Sequence, residues 1–297
     1  MKYFILALAL FSCSKVKHEP MPPSVSLDEI KQKRDVYLSL QKSQMDEFGW
    51  LSPKCDGLLF NSLAAYSGQS IDVMKAEKEA GLWERHPSFS CYPEGSKSTI
   101  SKDMMSGLIL YLFMSKNFDA LERILTRCND NKVAGGLGCE IGEAIDQETY
   151  WSRVVLPIST INEIEEMLNK RPTPEPQKVV GFTDHLESLK LYRSALLHKG
   201  LTVYEVENLR ILKESSPNNA VYSSLYHKYT DGDFSKAISV LMDERYFPSD
   251  RLPTDCDRKS HYIFERDEDD DWQPKPDCTG EVHSGVDLTF VVKIMEE

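Results

Sequence analysis

The chain lacks the features that mark several large classes of protein. Its apolar runs are all shorter than the about 20 residues that a membrane-spanning helix needs, which excludes a polytopic membrane protein. With 297 residues, 41% of them hydrophobic and 28% charged, it is neither a disordered chain nor a collagen. Positive charge is also scarce: 35 basic residues face 47 acidic ones, and a net charge of -12 argues against nucleic-acid binding, because phosphate backbones repel such a surface.

Several catalytic and metal-binding motifs are missing as well. The chain contains neither the GxSxG elbow of serine hydrolases nor the HExxH pattern of zinc peptidases, and it has no CxxC pair that would predict a structural zinc site. The glycine cluster from Gly135 to Gly138 lacks a Walker lysine and a preceding strand, so it is typical of a turn and not of a phosphate-binding loop.

The N-terminus has the pattern of a secretory signal. Lys2 provides a positive charge, and Tyr3 to Phe11 form an apolar stretch of about nine residues. The following Leu10-Phe11-Ser12-Cys13 resembles the lipobox of bacterial lipoproteins, in which an aliphatic residue, a tolerant position and a small residue precede cysteine. We therefore predict a signal peptide over residues 1–12.

The lipoprotein resemblance implies cleavage before Cys13, acylation of its sulfur by a chain such as palmitate, and acylation of the new N-terminus. Residues 13–25 are rich in proline and polar groups and are expected to tether the protein to a membrane through these acyl chains. In a Gram-negative envelope, the resemblance implies that Ser14 permits transfer to the outer membrane. The expected location is thus the bacterial cell envelope, on the periplasmic or the outer face of that membrane.

The remaining cysteines are even in number. They are Cys55, Cys91, Cys128, Cys139, Cys256 and Cys278. An even set in an exported chain is typical of disulfide bonds. Pairing of neighbours gives Cys55–Cys91, Cys128–Cys139 and Cys256–Cys278, and the last two close short segments rich in glycine, proline or aspartate. The alternative is that all six are reduced core cysteines.

Capping signals and apolar spacing predict the helices. Ser26 with Glu29 and Thr202 with Glu205 form capping boxes, and Ser101 precedes a strongly apolar helix that should be central to the fold. The closing stretch over residues 288–295 is expected to be a helix or a strand. Helices are expected over residues 27–45, 56–66, 71–80, 102–116, 118–128, 185–198, 203–213, 220–229 and 234–243.

These helices indicate an all-α protein. Alternating strand patterns are almost absent, and about ten helices follow one another in antiparallel pairs joined by short connections or by irregular loops rich in proline and aspartate. An (α/α) toroid is one arrangement that such pairs can form. We predict a single helical domain over residues 26–297, in which the proline-rich residues 171–177 mark the best internal boundary.

Carboxylates near aromatic residues suggest glycan chemistry, which needs a protonated acid and a second carboxylate beside stacking surfaces. The candidate acids are Asp56, Asp103, Glu265 and Asp267. The candidate sugar-stacking residues are Trp83, Trp151 and Trp272. For each acid, N-capping or surface solvation is the alternative, and for each aromatic residue the alternative is a place in the core.

The acidic run over residues 265–271 partly follows a calcium-binding pattern. Asp267, Asp269 and Asp271 have the spacing of the first three ligands of a calcium loop. Trp272 then replaces the required glycine, and Cys278 stands where a bidentate glutamate belongs. The sequence therefore favours a solvated acidic loop, with weak Ca²⁺ binding as the alternative and no other cofactor expected.

Two functions fit the sequence. The first is a lipid-anchored envelope protein that acts as a helical binding or structural module. The second is a glycan-active hydrolase or lyase that uses paired carboxylates on an (α/α) toroid-like scaffold and meets a cell-wall or surface glycan. The sequence leaves open whether the chain is an enzyme.

Overall fold

The computed structural model describes residues 25–51, 57–88, 100–129, 184–257 and 278–297. Within these ranges the chain forms nine α-helices, one 3₁₀ helix at Val73–Ala76, and one hairpin of strands β1 (Glu77–Glu79) and β2 (Leu82–Trp83). The helices are α1 (Leu27–Ser43), α2 (Gly57–Tyr66), α3 (Lys102–Met114), α4 (Phe118–Asn129), α5 (Asp184–His198), α6 (Val203–Ser215), α7 (Ala220–Lys228), α8 (Ser235–Leu241) and α9 (Val286–Glu296). The prediction of an all-α protein is confirmed in this part of the chain.

Two predicted features of the helices are confirmed in detail. Ser26 and Thr202 both accept a hydrogen bond from the backbone of the glutamate three residues on, and each glutamate side chain accepts one in return from the cap backbone. The closing apolar stretch is a helix, α9. Among the described residues no helix is both long enough and apolar enough to span a membrane.

The helix predicted over residues 71–80 is wrong. The chain forms the 3₁₀ helix and then strand β1, which pairs with β2 in antiparallel register. Two contacts explain the difference: Glu77 binds the guanidinium of Arg123 on α4 through hydrogen bonds of 2.8 and 2.6 Å, and it accepts the N–H of Gly81 at 2.8 Å. The distant contact with Arg123, together with the local one to Gly81, outweighs the preference of alanine and lysine for a helix.

Helices α2 and α3 form the centre of the core. Every residue of α2 except Ala65 is buried, and α2 packs along α3, which also contacts α4 and α5. The central position predicted for the helix after Ser101 is therefore confirmed. Ser101 precedes α3 but makes no side-chain cap; its hydroxyl donates to Asp103 instead.

Helix α9 closes the other side of the core, where it contacts α1, α2 and α7. Its Phe290 ring lies 5.9 Å from the rings of both Tyr66 on α2 and Tyr192 on α5, in edge-to-face geometry. The two tyrosine hydroxyls donate to the Glu297 carboxylate at 2.5 and 2.6 Å. This arrangement satisfies the hydroxyls of two tyrosines in the core and ties three helices together.

One predicted disulfide bond is present. Cys256 and Cys278 are joined, with an S–S distance of 1.99 Å and a Cα–Cα distance of 5.2 Å. Backbone contacts support the bond, since Asp255 donates its N–H to the carbonyl of Glu281 at 2.9 Å and its carboxylate accepts the N–H of Thr279 at 2.7 Å. The bond therefore closes the segment between the two cysteines at its base.

The other predicted roles of cysteines concern residues or side chains that the structure does not describe. Cys13, Cys55, Cys91 and Cys139 lie outside the described residues, as does the side chain of Cys128. The predicted signal peptide, most of the tether and the proline-rich residues 171–177 are also outside the described residues.

Candidate functional site

A tight turn after α1 places a carboxylate beside the core. Asp46 receives the N–H of Gly49 on its backbone carbonyl at 3.0 Å, and its own N–H donates to the carbonyl of Trp50 at 2.8 Å. Its side-chain Oδ1 accepts the N–H of Phe48 at 2.8 Å and of Trp50 at 3.0 Å. Gly49 has a φ of 75°, which a side chain would strain. One carboxylate oxygen thus orders the turn, and Oδ2 remains for another contact.

That other contact is with a histidine forty positions later. His86 follows the β-hairpin, and its Nε2 lies 2.7 Å from Asp46 Oδ2. The imidazole is 2% exposed, and its edges contact the rings of Phe48 and Trp50 at centroid distances of 5.7 and 5.6 Å. The two aromatic rings and the carboxylate therefore fix the position of this imidazole.

The second ring nitrogen of His86 faces Ser88. The backbone N–H of Ser88 donates to His86 Nδ1 at 3.1 Å, and the Ser88 hydroxyl oxygen lies 2.9 Å from the same nitrogen. An amide N–H can only donate, so Nδ1 carries the lone pair and the ring proton lies on Nε2, directed at Asp46. Ser88 itself is exposed to solvent.

The start of α2 holds both loops in place. Asn61, which is fully buried, accepts the N–H of Leu51 at 2.8 Å and donates to the carbonyls of Leu51 and Gly57 at 2.9 and 2.8 Å. A Cβ on Gly57 would lie 2.7 Å from the carbonyl oxygen of Arg85, so a glycine is needed where the histidine loop crosses the helix. Helix α2 thereby contacts both the segment that follows Asp46, at Leu51, and the loop that carries His86, at Arg85.

The electrostatics keep Asp46 ionised. Partial burial acts to raise the pKa of Asp46, but hydrogen bonds from Trp50, His86 and Phe48 outweigh it and hold the pKa below its usual value. A carboxylate that stays charged is able to stabilise a positive charge on the imidazole it contacts.

Together, Asp46, His86 and Ser88 form a continuous hydrogen-bonded array, which we call the Asp–His–Ser array. A hydroxyl beside the unprotonated nitrogen of an imidazole, with a carboxylate on the other nitrogen, is the arrangement that activates serine in nucleophilic catalysis. The same bonds also join the turn after α1 to the loop after β2, which is a structural role.

The glycan-site candidates are only partly within the described residues. Asp103 lies in the first turn of α3, where it accepts a hydrogen bond from Ser101. Trp83, on β2, is fully buried and offers no exposed ring face on which a sugar could stack. The other candidates lie outside the described residues: Asp56, Glu265, Asp267, Trp151 and Trp272. Since three of the four acids are not described, the convergence of these carboxylates stays a prediction.

The weak Ca²⁺ site stays a prediction, and one other group of metal-ligating residues lies within the described part of the chain. Asp267, Asp269 and Asp271 are outside the described residues. Asp255, Cys256 and Cys278 do lie close enough together to suggest a metal cluster. The two sulfurs are bonded to each other, so neither is a thiolate that could bind an ion.

Sequence reasoning missed the Asp–His–Ser array. Asp46 three residues before Gly49 is a turn signal, because aspartate side chains readily accept the backbone N–H two residues on. His86 and Ser88 stand close together in a stretch for which the sequence predicts no helix. The contact between His86 and Asp46 spans 40 positions and has no local signature.

Comparisons with known proteins find no match to this chain. No family model matches the chain, and neither a curated protein nor a solved structure matches it.

Proposed function

We propose that the chain is an exported protein of the bacterial cell envelope, attached to a membrane through acyl chains on Cys13, whose helical domain acts as a binding or structural module. The observation that carries the proposal is the Cys256–Cys278 bond. Disulfides persist in oxidising compartments such as the periplasm and are rare in the cytosol. The bond agrees with the lipobox-like residues Leu10 to Cys13, which are an independent sign of export.

A lipid-labelling experiment tests the anchor. Cells that express the full chain are grown with a clickable palmitate analogue, and the purified protein is analysed for the label. We expect label in the wild type and in a Ser14→Ala control, and none in Cys13→Ala. Label that persists in Cys13→Ala contradicts the proposed anchor.

A second experiment tests the disulfide bond between Cys256 and Cys278. Peptide mapping without reductant, on protein alkylated at the moment of lysis, should recover the peptides of Cys256 and Cys278 linked to each other. Free thiols at both positions would count against an oxidising compartment. Fractionation of the envelope then distinguishes the outer membrane, which Ser14 implies, from the inner membrane.

The alternative function is a glycan-active hydrolase or lyase that uses paired carboxylates on an (α/α) toroid-like scaffold. Binding and cleavage screens with peptidoglycan and surface glycans, carried out on the full chain, test this alternative directly. Loss of any activity found there in Asp103→Asn, but not in Asp35→Asn on the exposed face of α1, would place Asp103 in such a site.

A further inference from the structure

We infer that Ser88 is a nucleophile for acyl transfer, with His86 as its general base and Asp46 as the residue that positions the imidazole. The class of substrate is a small ester that reaches Ser88 from solvent. Three features carry the inference: Ser88 Oγ lies 2.9 Å from His86 Nδ1, His86 Nε2 lies 2.7 Å from Asp46 Oδ2, and Ser88 is an exposed residue whereas His86 is buried. The inference goes beyond the proposed envelope function and does not depend on the anchor.

The tautomer of His86 is the one that a base requires. The Ser88 N–H donates to Nδ1 and so keeps that nitrogen unprotonated, while Asp46 accepts the proton of Nε2. A serine proton can pass to Nδ1 without any rotation of the ring, and the hydrogen bond from the Ser88 N–H to that nitrogen breaks as the proton arrives. Relative to the usual serine hydrolase triad the two ring nitrogens exchange roles, but the order carboxylate, imidazole, hydroxyl is the same.

The aromatic neighbours make this geometry stiff. Phe48 and Trp50 contact the ring edge-on, and Trp50 is held in turn because its indole N–H donates to the carbonyl of Asp72 at 3.1 Å. An imidazole held in this way loses little entropy when it meets the reacting hydroxyl, which is a source of catalytic rate.

The reaction balances with water as the only co-reactant. Ser88 Oγ forms a bond to the ester carbonyl carbon while its proton moves to His86 Nδ1, and Asp46 stabilises the resulting imidazolium. The C–O bond to the leaving group then breaks, and the alkoxide takes the proton from Nδ1 and departs as an alcohol. Water attacks the carbonyl carbon of the acyl-serine while His86 takes its proton; the bond from that carbon to Ser88 Oγ then breaks, Oγ takes the proton back from His86, and a carboxylic acid is released.

A purely structural role for the same bonds predicts an unreactive Ser88, so covalent labelling separates the two. The full chain, purified in detergent with its disulfide intact, is treated with a fluorophosphonate probe, and the adduct is mapped by mass spectrometry. We expect the adduct on Ser88 and its absence in Ser88→Ala. No adduct on Ser88 in the folded wild type overturns the inference.

Partner variants test the roles of the two supporting residues. His86→Gln and Asp46→Asn should each slow the labelling by about 10²- to 10⁴-fold, the usual contribution of a positioned base. The matched control is His227→Gln, because His227, near the end of α7, has its Nδ1 2.6 Å from Oδ1 of the exposed Asp231 and lies outside the array. Labelling that is equally fast in folded His86→Gln, as judged by circular dichroism, overturns the role of the base.

Replacement of Ser88 by cysteine gives a test that needs neither a substrate nor a stable acyl intermediate. Ser88→Cys places a thiol beside Nδ1, and deprotonation by the imidazole should make its alkylation by iodoacetamide at least about 10-fold faster than that of a solvent-exposed thiol. Ser239→Cys provides that reference, since Ser239 is exposed and its hydroxyl contacts only its own helix turn at Lys236. Equal alkylation rates in the two variants overturn the inference as well.

Discussion

Gly107 on α3 faces Leu59 on α2, where the two central helices pack together. A Cβ added to Gly107 would lie 2.5 Å from Leu59 Cδ1 and 3.4 Å from its carbonyl oxygen. The glycine therefore leaves room for the Leu59 side chain on the helix that also carries Asn61 and supports the Asp–His–Ser array.

We expect Gly107→Ala to destabilise the protein. Overpacking in a core costs about 1–3 kcal/mol, and this loss is partly offset by the gain of up to ~1 kcal/mol from the better helix propensity of alanine. Urea denaturation followed by circular dichroism measures the net change in the free energy of unfolding.

The double variant with Leu59→Ala supplies the control for Gly107→Ala. Truncation of Leu59 removes the atom that the new Cβ meets, so Gly107→Ala should cost less in that background than in the wild type. Purely additive effects of the two changes would show that the contact with Leu59 does not limit the packing of α2 on α3.

The capping box of α6 yields a second prediction. Thr202 accepts the N–H of Glu205, and Glu205 also accepts the hydroxyl of Ser194 on α5 at 2.7 Å, so the cap joins two helices. Thr202→Ala should lower the free energy of unfolding by about 1 kcal/mol. Ser101→Ala is the matched control and should cost less, because Ser101 makes no cap hydrogen bond to the backbone of α3. A loss as large for Ser101→Ala would contradict the role assigned to the cap.

These caps show what the sequence is able to predict. Ser26 and Thr202 each stand three residues before a glutamate, and the helices begin where this local chemistry places them. Such signals need only neighbours along the chain, and so they predict most of the helices and the all-α class.

Other parts of the structure depend on distant residues. The hairpin replaces a predicted helix because Glu77 meets Arg123, 46 positions away, and Asp46 meets His86 across 40 positions. Neither pair has a local signature, and a single sequence does not show which distant side chains come together. The candidate site could be predicted only as far as the turn at Asp46 and Gly49.

A third prediction concerns Asn61, whose amide joins Leu51 to the start of α2. Asn61→Ala leaves the buried N–H and carbonyl of Leu51 without their side-chain partner, which costs about 1–3 kcal/mol for each unsatisfied group. We therefore expect a large drop in the urea midpoint. Asn218→Ala is the control, since the Asn218 side chain accepts a hydrogen bond from the exposed amine of Lys236 at 3.2 Å and holds no buried backbone group. Equal midpoints for the two variants would contradict the supporting role of Asn61.

Asp184 gives a prediction about pH. It lies at the start of α5 with 6% exposure, and its Oδ1 has no hydrogen-bond partner among the residues that the structure describes. Burial raises the pKa of Asp184 from 3.8 to about 6. The folded protein therefore holds this proton more tightly than the unfolded chain does, and its stability should fall as the pH rises from about 4 to about 6.

Asp184→Asn should remove this fall, because the amide stays neutral at every pH. Thermal unfolding at a series of pH values should show the variant close to the wild type near pH 4 and more stable above pH 6, by on the order of 2 kcal/mol. Asp231→Asn is the contrasting variant: hydrogen bonds from the Asp233 N–H and from His227 lower the pKa of Asp231, so its contribution is lost as the pH falls. An unchanged pH slope in Asp184→Asn would mean that this carboxyl does not carry the buried proton, and that another group produces the dependence.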